Sequence, residues 1–456
     1  MPCIVIESTS TICALATPPG RGGLAVIRVS GPLAFYICDK LFVGNSTVSE
    51  CVSHRILYGW LRVGDTKIDT VTISVFRSPT SYTGEDVAEI GCHGGIFVID
   101  QILQAFIDCG VRLADPGEFT RRAFLNRKLD LTQVEAVADI IDSETRIGAQ
   151  TAARQLSGGF TKRLSAIREQ MLSIIGLLEL ELDFSEEDVA FVDRERLRQM
   201  IQGLLNEVDS LSDYAKSAAV LRSGYHVAVV GFPNAGKSSL FNALLERKRA
   251  IVSAVAGTTR DYLHETVIID GYSIHLLDTA GLRDSEDNVE MQGISLTASV
   301  MEEANLILVV NDASVGRGHS TGLYIDLQKA YPQSRFLLVQ NKIDLVSTSE
   351  SDSADSIECS AHTGAGIDNL RLALLRIVKE YGAKPSDMLV NARQAQLLRN
   401  IGSALRSCLN GMDIGLSQEF LAVDLRTSIR LLGEISGETW NPDLLDTVFS
   451  RFCIGK

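Results

Sequence analysis

The sequence predicts a mixed architecture, α/β plus all-α, with two α/β domains and one helical domain that is split along the chain. Three observations predict it: short apolar runs punctuated by Gly and Pro before residue 120, apolar stripes at helical spacing on both sides of residues 223–380, and strand patterning between those stripes. A chain of 456 residues is also too long for one hydrophobic core. We therefore expect an N-terminal α/β domain at residues 1–120, a discontinuous helical domain at 121–222 and 381–456, and an inserted α/β domain at 223–380.

Composition and charge narrow the class of protein. Charged residues make up 22% of the chain and hydrophobic residues 45%, which is typical of a globular protein. No apolar run reaches transmembrane length, so we expect a cytoplasmic protein that does not engage a membrane. The net charge of −14 argues against nonspecific coating of nucleic acid, although a local basic site stays open. Nine cysteines without a C-x-x-C pair indicate neither a zinc site nor a disulfide framework.

In the N-terminal domain, residues 24–29 and 71–76 have the apolar character of strands. The glycine-rich loop at residues 18–23 is either a flexible turn or a place where backbone approaches a ligand, with Arg21 or Arg28 supplying charge. Its residues do not decide between the two. Cys92 and His93 are adjacent, so on a strand they point to opposite faces, which favours a packed thiol and a surface imidazole over a metal pair.

After Pro116 the pattern becomes helical. Thr132 and Glu135 have the spacing of a capping box at a helix N-terminus. The stripes that we interpret as the core of a helical bundle are Phe160, Leu164, Ile167, Met171, Ile174 and Leu178; Leu197, Ile201, Leu204, Val208, Leu211 and Ala215; Leu397, Ile401, Leu405 and Cys408; and Leu421, Leu425, Ser428 and Leu432. Between the second and third of these stripes lies the inserted domain.

Residues 231–238 of the insert read G-F-P-N-A-G-K-S, between an apolar run and a helical pattern. Strand, glycine-bounded loop and helix form the context that a phosphate-binding loop requires. Backbone N–H groups of such a loop face the phosphates, Lys237 neutralises charge on the β and γ groups, and Ser238 holds Mg²⁺. The sequence therefore predicts a nucleotide site in this domain.

Motifs further along the insert specify the base. Residues 266–269 and 274–277 predict a hairpin around Asp270-Gly271, and its second strand delivers D-T-A-G, with Asp278 at the Mg²⁺ shell and the Gly281 N–H at the γ-phosphate. Asn341-Lys342-Ile343-Asp344 follows another strand, and the Asp344 carboxylate can accept two hydrogen bonds from guanine that adenine cannot supply. Ser360 and Ala361 then close over the base. This order of motifs predicts a guanine nucleotide and disfavours an ordinary ATPase.

These motifs resemble the G domains of the translational-GTPase-like family, a resemblance that makes Thr259 a second ligand of Mg²⁺. Ras-type G domains have a water-orienting Gln after D-T-A-G, whereas this chain has Leu282, so hydrolysis has to recruit another group. The nucleotide-binding residues that follow are Asn234, Ala235, Gly236, Lys237, Ser238, Ser239, Ser253, Ala254, Val255, Ala256, Gly257, Thr258, Thr259, Asp278, Thr279, Ala280, Gly281, Asn341, Lys342, Asp344, Ser360 and Ala361.

The whole chain resembles the MnmE (TrmE) family of tRNA uridine-modification GTPases. The resemblance rests on A-T-P-P-G-R-G-G, S-Y-T-G-E-D-V and G-E-F-T-R-R-A-F-L-N-R-K-L-D-L in the N-terminal part, on G-F-P-N-A-G-K-S-S-L, A-G-T-T-R-D and D-T-A-G-L-R in the insert, and on F-C-I-G-K at the end. Phe232 stands where the family usually carries a basic residue, in a variable slot. The resemblance implies a Ras-like P-loop G domain inserted into the helical domain.

For catalysis, the resemblance implies that K⁺ beside the phosphates replaces an arginine finger, an effect on the order of 10³ to 10⁵ in rate for the finger itself. Its ligands are then Asn234, Ser253, Val255 and Thr258. The resemblance makes Glu290 the catalytic acid that orients water indirectly, whereas from the residues alone Glu290 is a solvated charge in an acidic run. Two G domains are expected to pair across their switch regions.

For the N-terminal domain, the resemblance implies a folate-binding fold of the tetrahydrofolate-dependent aminomethyltransferase type, which forms a homodimer. The implied ligand is 5-formyl-tetrahydrofolate or a related one-carbon folate, and the matching residues are Arg28, Glu89, Lys128 and Lys456. Carboxylates accept from ring N–H groups and cations meet the glutamate tail of folate. Cys453 is a catalytic candidate near the tRNA-modifying centre by resemblance, and a buried structural thiol by the ordinary behaviour of a lone Cys.

The function that the resemblance implies is K⁺-stimulated GTP hydrolysis that serves tRNA modification. With a flavin-dependent MnmG-type partner in a heterotetramer, the enzyme adds a carboxymethylaminomethyl or aminomethyl group to C5 of the wobble uridine. The tRNA is expected at basic residues, Arg121, Arg122, Arg127 and Lys128, although a solvated helix face explains these equally well. The alternative is a GTP-dependent switch in ribosome assembly, which has no need for the folate-like residues or F-C-I-G-K.

Overall fold

The computed structural model describes residues 10–143, 145–183, 194–245, 264–278, 301–302, 304–316, 319–346, 356–380, 388–450 and 452–456. Contacts divide the chain into two compact units, one of Met1–Ala138, Gln155–Asn206 and Leu397–Lys456, the other of Asp139–Arg154 and Glu207–Gln396. In the described ranges, no helix is both long enough and apolar enough to cross a membrane.

The N-terminal part of the first unit is a mostly antiparallel sheet with helices. Its elements are β1 (Ile12–Leu15), β2 (Gly22–Ser30), α1 (Ala34–Leu41), β3 (Phe42–Gly44), β4 (Arg55–Val63), β5 (Thr66–Phe76), β6 (Val87–Gly94), α2 (Ile96–Asp108) and β7 (Arg112–Leu113). The strand order is β3-β4-β5-β6-β2-β1-β7, with only β1 and β7 parallel among the described pairs. Apolar side chains of the central strands, including Ile27, Ile73 and Ile90, are fully buried against Phe106 of α2. Both predicted strands are confirmed within β2 and β5.

Long helices follow, as the apolar stripes predict. They are α3 (Glu118–Leu125), α4 (Leu131–Asp142), α5 (Arg146–Leu156), α6 (Gly159–Asp183) and α7 (Arg194–Ser223). The six stripe residues of α6 are at most 3% exposed, and so are the four at Leu421–Leu432 later in the chain. In the other two stripes, Ala215 and Leu397 are only partly buried, whereas the remaining members are core residues.

The predicted capping box at the start of α4 is wrong by two residues. Asp130 caps the helix: its Oδ1 accepts from the Gln133 N–H at 2.9 Å, and Gln133 Oε1 accepts from the Asp130 N–H at 3.0 Å. Thr132 is fully buried and donates from its hydroxyl to Asp130. Asp-x-x-Gln makes the same reciprocal pair of hydrogen bonds as the predicted Thr-x-x-Glu. The helix begins at the first pair because Thr132 is buried inside the first turn.

Within the described residues, the insert consists of a six-stranded sheet and helices. Its elements are β8 (Tyr225–Gly231), α8 (Lys237–Leu245), β9 (His264–Ile269), β10 (Tyr272–Asp278), β11 (Leu306–Asp312), α9 (Thr321–Ala330), β12 (Arg335–Asn341), β13 (Ser356–Glu358) and α10 (Ile367–Glu380). The order is β13-β12-β11-β8-β10-β9, parallel except for the β9–β10 hairpin. Asp270 and Gly271 have φ of 51° and 84°, so the predicted hairpin turn is confirmed.

The carboxyl ends of β8, β11 and β12 meet at one edge of this sheet, where an open α/β sheet binds its ligands. After α10 the chain continues with α11 (Ala392–Asp413), α12 (Gln418–Ser436) and α13 (Pro442–Phe449). A second Asx cap starts α11, since Asn391 Oδ1 accepts from the Gln394 N–H at 2.8 Å.

A bidentate ion pair lies where the insert leaves and rejoins the helical segments. Arg222, at the end of α7, donates from Nε and Nη2 to the two carboxylate oxygens of Asp139 at 2.7 and 2.6 Å. Its Nη2 also donates to the Leu389 carbonyl at 2.8 Å. One guanidinium therefore joins both chain connections of the insert to the end of α4.

Candidate functional site

The phosphate loop connects β8 to α8, as the G-x-x-x-x-G-K-S pattern predicts. Asn234 and Gly236 have left-handed backbones, with φ of 64° and 86°. A Cβ at Gly231 would lie 2.3 Å from the Val310 carbonyl oxygen of β11, and one at Gly236 would lie 2.4 Å from Asn341 Nδ2. Both glycines are therefore required by close approach of neighbouring strands and loops.

Lys237 lies over its own loop. Its Nζ donates to the carbonyl oxygens of Gly231 and Phe232, each at 3.0 Å. These two acceptors hold the ammonium group against the loop, and the N-terminus of α8 adds partial positive charge to the same loop, as phosphate binding would require. The side chains of Asn234 in this loop and of Ser238 and Ser239 in the first turn of α8 are exposed.

Asn341 joins the base-recognition motif to the phosphate loop. Its side-chain amide donates to the Ala235 carbonyl at 2.9 Å, and its Oδ1 accepts from the Ala361 N–H at 3.0 Å. The residue is 1% exposed. One buried amide thus holds together three of the predicted motifs, the phosphate loop, N-K-x-D and S-A.

Lys342 and Asp344 occupy the loop after β12. Lys342 has a left-handed backbone with φ of 62°, and its Nζ lies 2.6 Å from Asp312 Oδ2 at the end of β11. Burial alone would raise the pKa of Asp312, but hydrogen bonds from Lys342 and Ser314 lower it below its usual value. Asp344 is exposed in a short turn at Ile343–Leu345, open to a base. The sequence did not lead us to predict Asp312 as a site residue. Its position at the carboxyl end of an apolar strand could have indicated it, because ligands bind at that edge of an open α/β sheet.

The S-A loop follows β13 and is joined to N-K-x-D through Asn341. Ser360 is fully buried, and its hydroxyl accepts from the Thr363 N–H at 3.1 Å. Gly366 turns the loop with φ of 74°, and a Cβ there would lie 2.1 Å from the Glu358 carbonyl oxygen. The loop therefore has a fixed shape around Ala361.

Part of the predicted site lies outside the described residues. This holds for Ser253, Ala254, Val255, Ala256, Gly257, Thr258, Thr259, Thr279, Ala280, Gly281, Leu282 and Glu290. Asp278 ends β10, directly beside Val229 of β8. Among the described residues, no group of three or more His, Cys, Asp or Glu side chains could hold a metal ion. A Mg²⁺ site of the predicted kind fits this finding, because Mg²⁺ on a phosphate loop takes a hydroxyl, phosphate oxygens and water rather than a cage of carboxylates.

In the N-terminal domain, Arg28 and Glu89 face each other on the neighbouring strands β2 and β6. Arg28 Nη2 lies 2.8 Å from Glu89 Oε1, and the guanidinium carbon lies 5.0 Å from the centre of the Tyr82 ring and 5.6 Å from that of Phe119. Tyr82 in turn exchanges a hydrogen bond of 2.9 Å with Thr120. Tyr82 and Phe119 lie in the motifs S-Y-T-G-E-D-V and G-E-F-T-R-R, but their contact with Arg28 was not predicted, since neither is adjacent to it in sequence.

The C-terminal tail reaches this pair. Gly455 has φ of 97°, a Cβ there would lie 2.1 Å from the Leu15 carbonyl oxygen, and its own carbonyl accepts from Arg28 Nη1 at 3.5 Å. The Lys456 carbonyl accepts from the Phe119 N–H at 3.2 Å. The structure therefore brings Arg28, Glu89 and the tail together. Lys128 contacts a different part of the chain, since its Nζ donates to the Pro79 carbonyl at 3.0 Å.

Cys453 is exposed, so its interpretation as a buried structural thiol is wrong. The exposed thiol lies in the tail whose Gly455 contacts Arg28. The prediction for Cys92 and His93 is confirmed: Cys92 is 2% exposed, whereas the His93 side chain is 71% exposed. His93 Nδ1 lies 2.7 Å from Asp69.

Arg122 is not a surface cation, which corrects both sequence interpretations of it. It is 4% exposed, lies 2.8 Å from Glu85 Oε2 and donates to the Ser10 carbonyl at 2.8 Å. Arg121 is partly exposed and paired with Asp446 at 3.2 Å. Of the four predicted basic residues, Arg127 and Lys128 are the exposed ones. A buried charged side chain needs partners, and Glu85 supplies one to Arg122.

Comparisons with known proteins agree with this architecture. A family model described as the MnmE helical domain matches residues 131–453, and one described as the N-terminus of the GTP-binding protein TrmE matches residues 11–128. A protein named tRNA modification GTPase MnmE from Porphyromonas gingivalis is 42% identical over 464 residues, which cover 98% of each chain. Proteins of the same name from Cytophaga hutchinsonii and Chlorobium phaeobacteroides are 40% and 42% identical, covering 99% of this chain and 99% and 98% of theirs.

The two family models together cover the N-terminal domain, the helical segments and the insert, in the order seen in the structure. This confirms the predicted fold class, with its N-terminal domain, divided helical domain and P-loop G domain. One model alone matches more than half of the chain, and the relatives match nearly all of it. The chain therefore belongs to the MnmE (TrmE) family of tRNA modification GTPases.

Proposed function

We propose that this chain hydrolyses GTP in the course of tRNA modification. The observation that supports it most is the position of Asn341, which ties the guanine-recognition motif to the phosphate loop at 2.9 Å. In this arrangement Asp344 selects guanine, the α8 N–H groups bind the phosphates, and Lys237 neutralises the charge that develops on them. Ser238 and Thr259 would hold Mg²⁺, which would supply positive charge to offset the negative charge of the phosphates.

The proposal includes K⁺ as the activating cation. The Leu282 side chain has no polar atom with which to orient water, so hydrolysis has to recruit another group, and we assign K⁺ to this role. Asn234 supports this assignment, since its left-handed backbone places it at the tip of the phosphate loop with its side chain exposed. Ser253, Val255 and Thr258 complete the proposed ligands, and Glu290 orients the water indirectly.

The decisive experiment is the GTPase rate in K⁺ against Na⁺ at several protein concentrations. We expect a faster rate in K⁺ and a rate per molecule that rises with concentration, because the G domains act in pairs. Asn234→Ala is expected to lose the difference between the two cations. Equal rates in K⁺ and Na⁺ for the parent protein would contradict the proposed cation.

We also propose that the N-terminal domain binds 5-formyl-tetrahydrofolate or a related one-carbon folate. The Arg28–Glu89 pair supports this, because a carboxylate that is held in place by a guanidinium can accept ring N–H groups of a pterin. Lys128 and Lys456 supply cations for the glutamate tail. Isothermal titration should show binding to the parent, at least tenfold weaker binding to Glu89→Gln, and unchanged binding to the exposed-site control Glu169→Gln. No heat with the parent protein would remove the folate assignment.

A homodimer through the N-terminal domain forms part of the proposal. The outer face of β4 is apolar: Ile56, Tyr58 and Trp60 are 69%, 71% and 41% exposed at alternate positions. Such a face is a suitable contact for a second copy of the sheet. Light scattering after gel filtration should give a dimer for the parent and a monomer for Tyr58→Asp. A monomeric parent at micromolar concentration would contradict this contact.

The product assignment completes the proposal: with a flavin-dependent MnmG-type partner, the chain modifies C5 of the wobble uridine. The MnmE family membership supports it, together with the tail that carries Cys453 to the folate-like residues. Mass spectrometry of wobble nucleosides should show loss of the carboxymethylaminomethyl or aminomethyl group in cells without this protein. Unchanged nucleosides would favour a GTP-dependent switch in ribosome assembly.

A further inference from the structure

An aromatic contact joins the phosphate loop to a second segment of the same domain. The rings of Phe232 and His319 lie with their centres 4.7 Å apart and their planes inclined at 45°. Phe232 is the second residue of the phosphate loop and is 38% exposed. His319 belongs to a different segment, the loop that follows β11, and is exposed. Nothing in G-x-x-x-x-G-K-S requires this contact, because the second position of that pattern is free.

The segment that carries His319 is anchored by buried polar groups. Ser320 donates from its hydroxyl to Asn311 Oδ1 at 2.8 Å, and Asn311 Nδ2 donates to the Gly316 carbonyl at 3.0 Å and to Gln340 Oε1 at 2.7 Å. Asn311, Ser320 and Gln340 are at most 2% exposed. Buried amides with satisfied hydrogen bonds fix the backbone that they contact. His319 follows directly from one such anchor and is therefore presented to Phe232 in a defined place.

The contact bears on Lys237 through the backbone of Phe232. The carbonyl of Phe232 is one of the two acceptors of Lys237 Nζ, at 3.0 Å. A ring that is fixed on His319 restricts rotation of the Phe232 backbone, and this keeps the carbonyl directed at the ammonium group. The loop thus has two restraints: Asn341 acts on Ala235, and His319 acts on Phe232.

We propose that His319 is a positioning residue for nucleotide binding, which holds the first half of the phosphate loop through Phe232. The inference rests on the proposed GTP-binding function. A loop that is already ordered loses less conformational freedom when it closes around phosphates, so nucleotide binds more tightly. An aromatic contact of this kind changes an equilibrium constant by about 2- to 12-fold.

The test compares dissociation constants for fluorescent mant-GDP among His319→Ala, His319→Phe and Val315→Ala. Val315 is a matched control, because it lies in the same loop and is 62% exposed. We expect a rise of about 3- to 10-fold for His319→Ala, parent-like affinity for His319→Phe because a ring is retained, and no change for Val315→Ala. The KM for GTP should rise by more than kcat falls in His319→Ala.

A double-mutant cycle with Phe232→Leu separates the contact from general loosening. The double variant should bind mant-GDP no more weakly than the worse of the two single variants, because each single change already removes the ring contact. Fully additive effects, or parent-like affinity of His319→Ala, would overturn the inference. Failure of the parent protein to bind mant-GDP would instead overturn the proposed function, and the inference with it.

Discussion

The side-chain amide of Asn341 lies 2.9 Å from the carbonyl oxygen of Ala235, so the guanine-reading strand and the phosphate loop share one buried side chain. The same amide accepts from the Ala361 N–H, which brings the third nucleotide motif into the unit. The predicted base-recognition motif and the predicted phosphate loop are therefore structurally coupled rather than independent.

Replacement of Asn341 by Ala should weaken binding of both GDP and GTP. It removes two hydrogen bonds and leaves the Ala235 carbonyl and the Ala361 N–H without that partner, so we expect the dissociation constant to rise at least about tenfold. Fluorescence titration with mant-GDP measures it. Asn369→Ala, on the exposed face of α10, is the control and should bind as the parent does. Equal affinity of all three proteins would contradict the shared-anchor role.

Glu118 should give the N-terminal domain a stability that depends on pH. Burial alone would raise the pKa of Glu118, but hydrogen bonds from Arg112 and the Asp115 N–H and the charges of Arg112 and Arg122 lower it. A lowered folded-state pKa stabilises the fold above the unfolded-state pKa of about 4.3, and this stability is lost as pH falls through the folded-state pKa. Glu118→Gln should therefore cost about 1–2 kcal/mol at pH 7 and progressively less below about pH 4.

Trp440 offers a probe for that measurement, since its ring centre lies 6.1 Å from that of Phe124 in α3. In a Trp60→Phe background it is the remaining one of the two tryptophans. Urea unfolding followed by its fluorescence should show the pH-dependent difference for Glu118→Gln and none for Glu169→Gln, which is exposed on α6. A difference that grows toward acid pH would contradict the assigned sign.

Arg222→Lys should destabilise the unit that contains the G domain. Lysine keeps the charge but cannot make the two parallel hydrogen bonds to Asp139 or reach Leu389 with the same fork. We expect a loss of about 1–2 kcal/mol, or roughly 2–8 °C in melting temperature. The relevant transition in calorimetry is the one that GDP shifts upward. Arg376 is an 81% exposed member of a helix-surface ion pair, so Arg376→Lys should leave this melting temperature unchanged. An equal loss in both variants would contradict a specific contribution of the bidentate Arg222–Asp139 pair.

The sequence predicted those features that depend on local pattern. The stripe from Phe160 to Leu178 became a buried helix face, and Asp270-Gly271 became a hairpin turn, because periodicity and turn chemistry act over a few residues. The phosphate loop and N-K-x-D were recognisable because each motif is continuous in sequence. Their connection through Asn341 and Ala235 was not, because it depends on β8 and β12 lying on either side of β11.

Where a feature depends on contacts between distant segments, its prediction was wrong or was not made. Arg122 looked like a surface cation in a basic run, yet Glu85, far away in sequence, makes its burial possible. Sequence spacing cannot show such a partner, because burial of a charge is decided by what the other segments supply. The contacts Phe232–His319 and Asp312–Lys342 could not be predicted from the sequence for the same reason.

Cys453 should be the first described thiol to react with iodoacetamide at pH 8. It is exposed, whereas burial raises the pKa of Cys13, Cys359 and Cys408 to about 12 and that of Cys92 to about 11, so at pH 8 these groups remain protonated and unreactive. Peptide mass spectrometry over a time course measures the order of labelling. Because the side chain is exposed, Cys453→Ser should keep the parent melting temperature, whereas Cys408→Ser in the helical core is the contrasting variant and should lower it. Labelling of Cys359 or Cys408 as fast as Cys453 in the folded protein would contradict the exposure on which any chemical role of Cys453 depends.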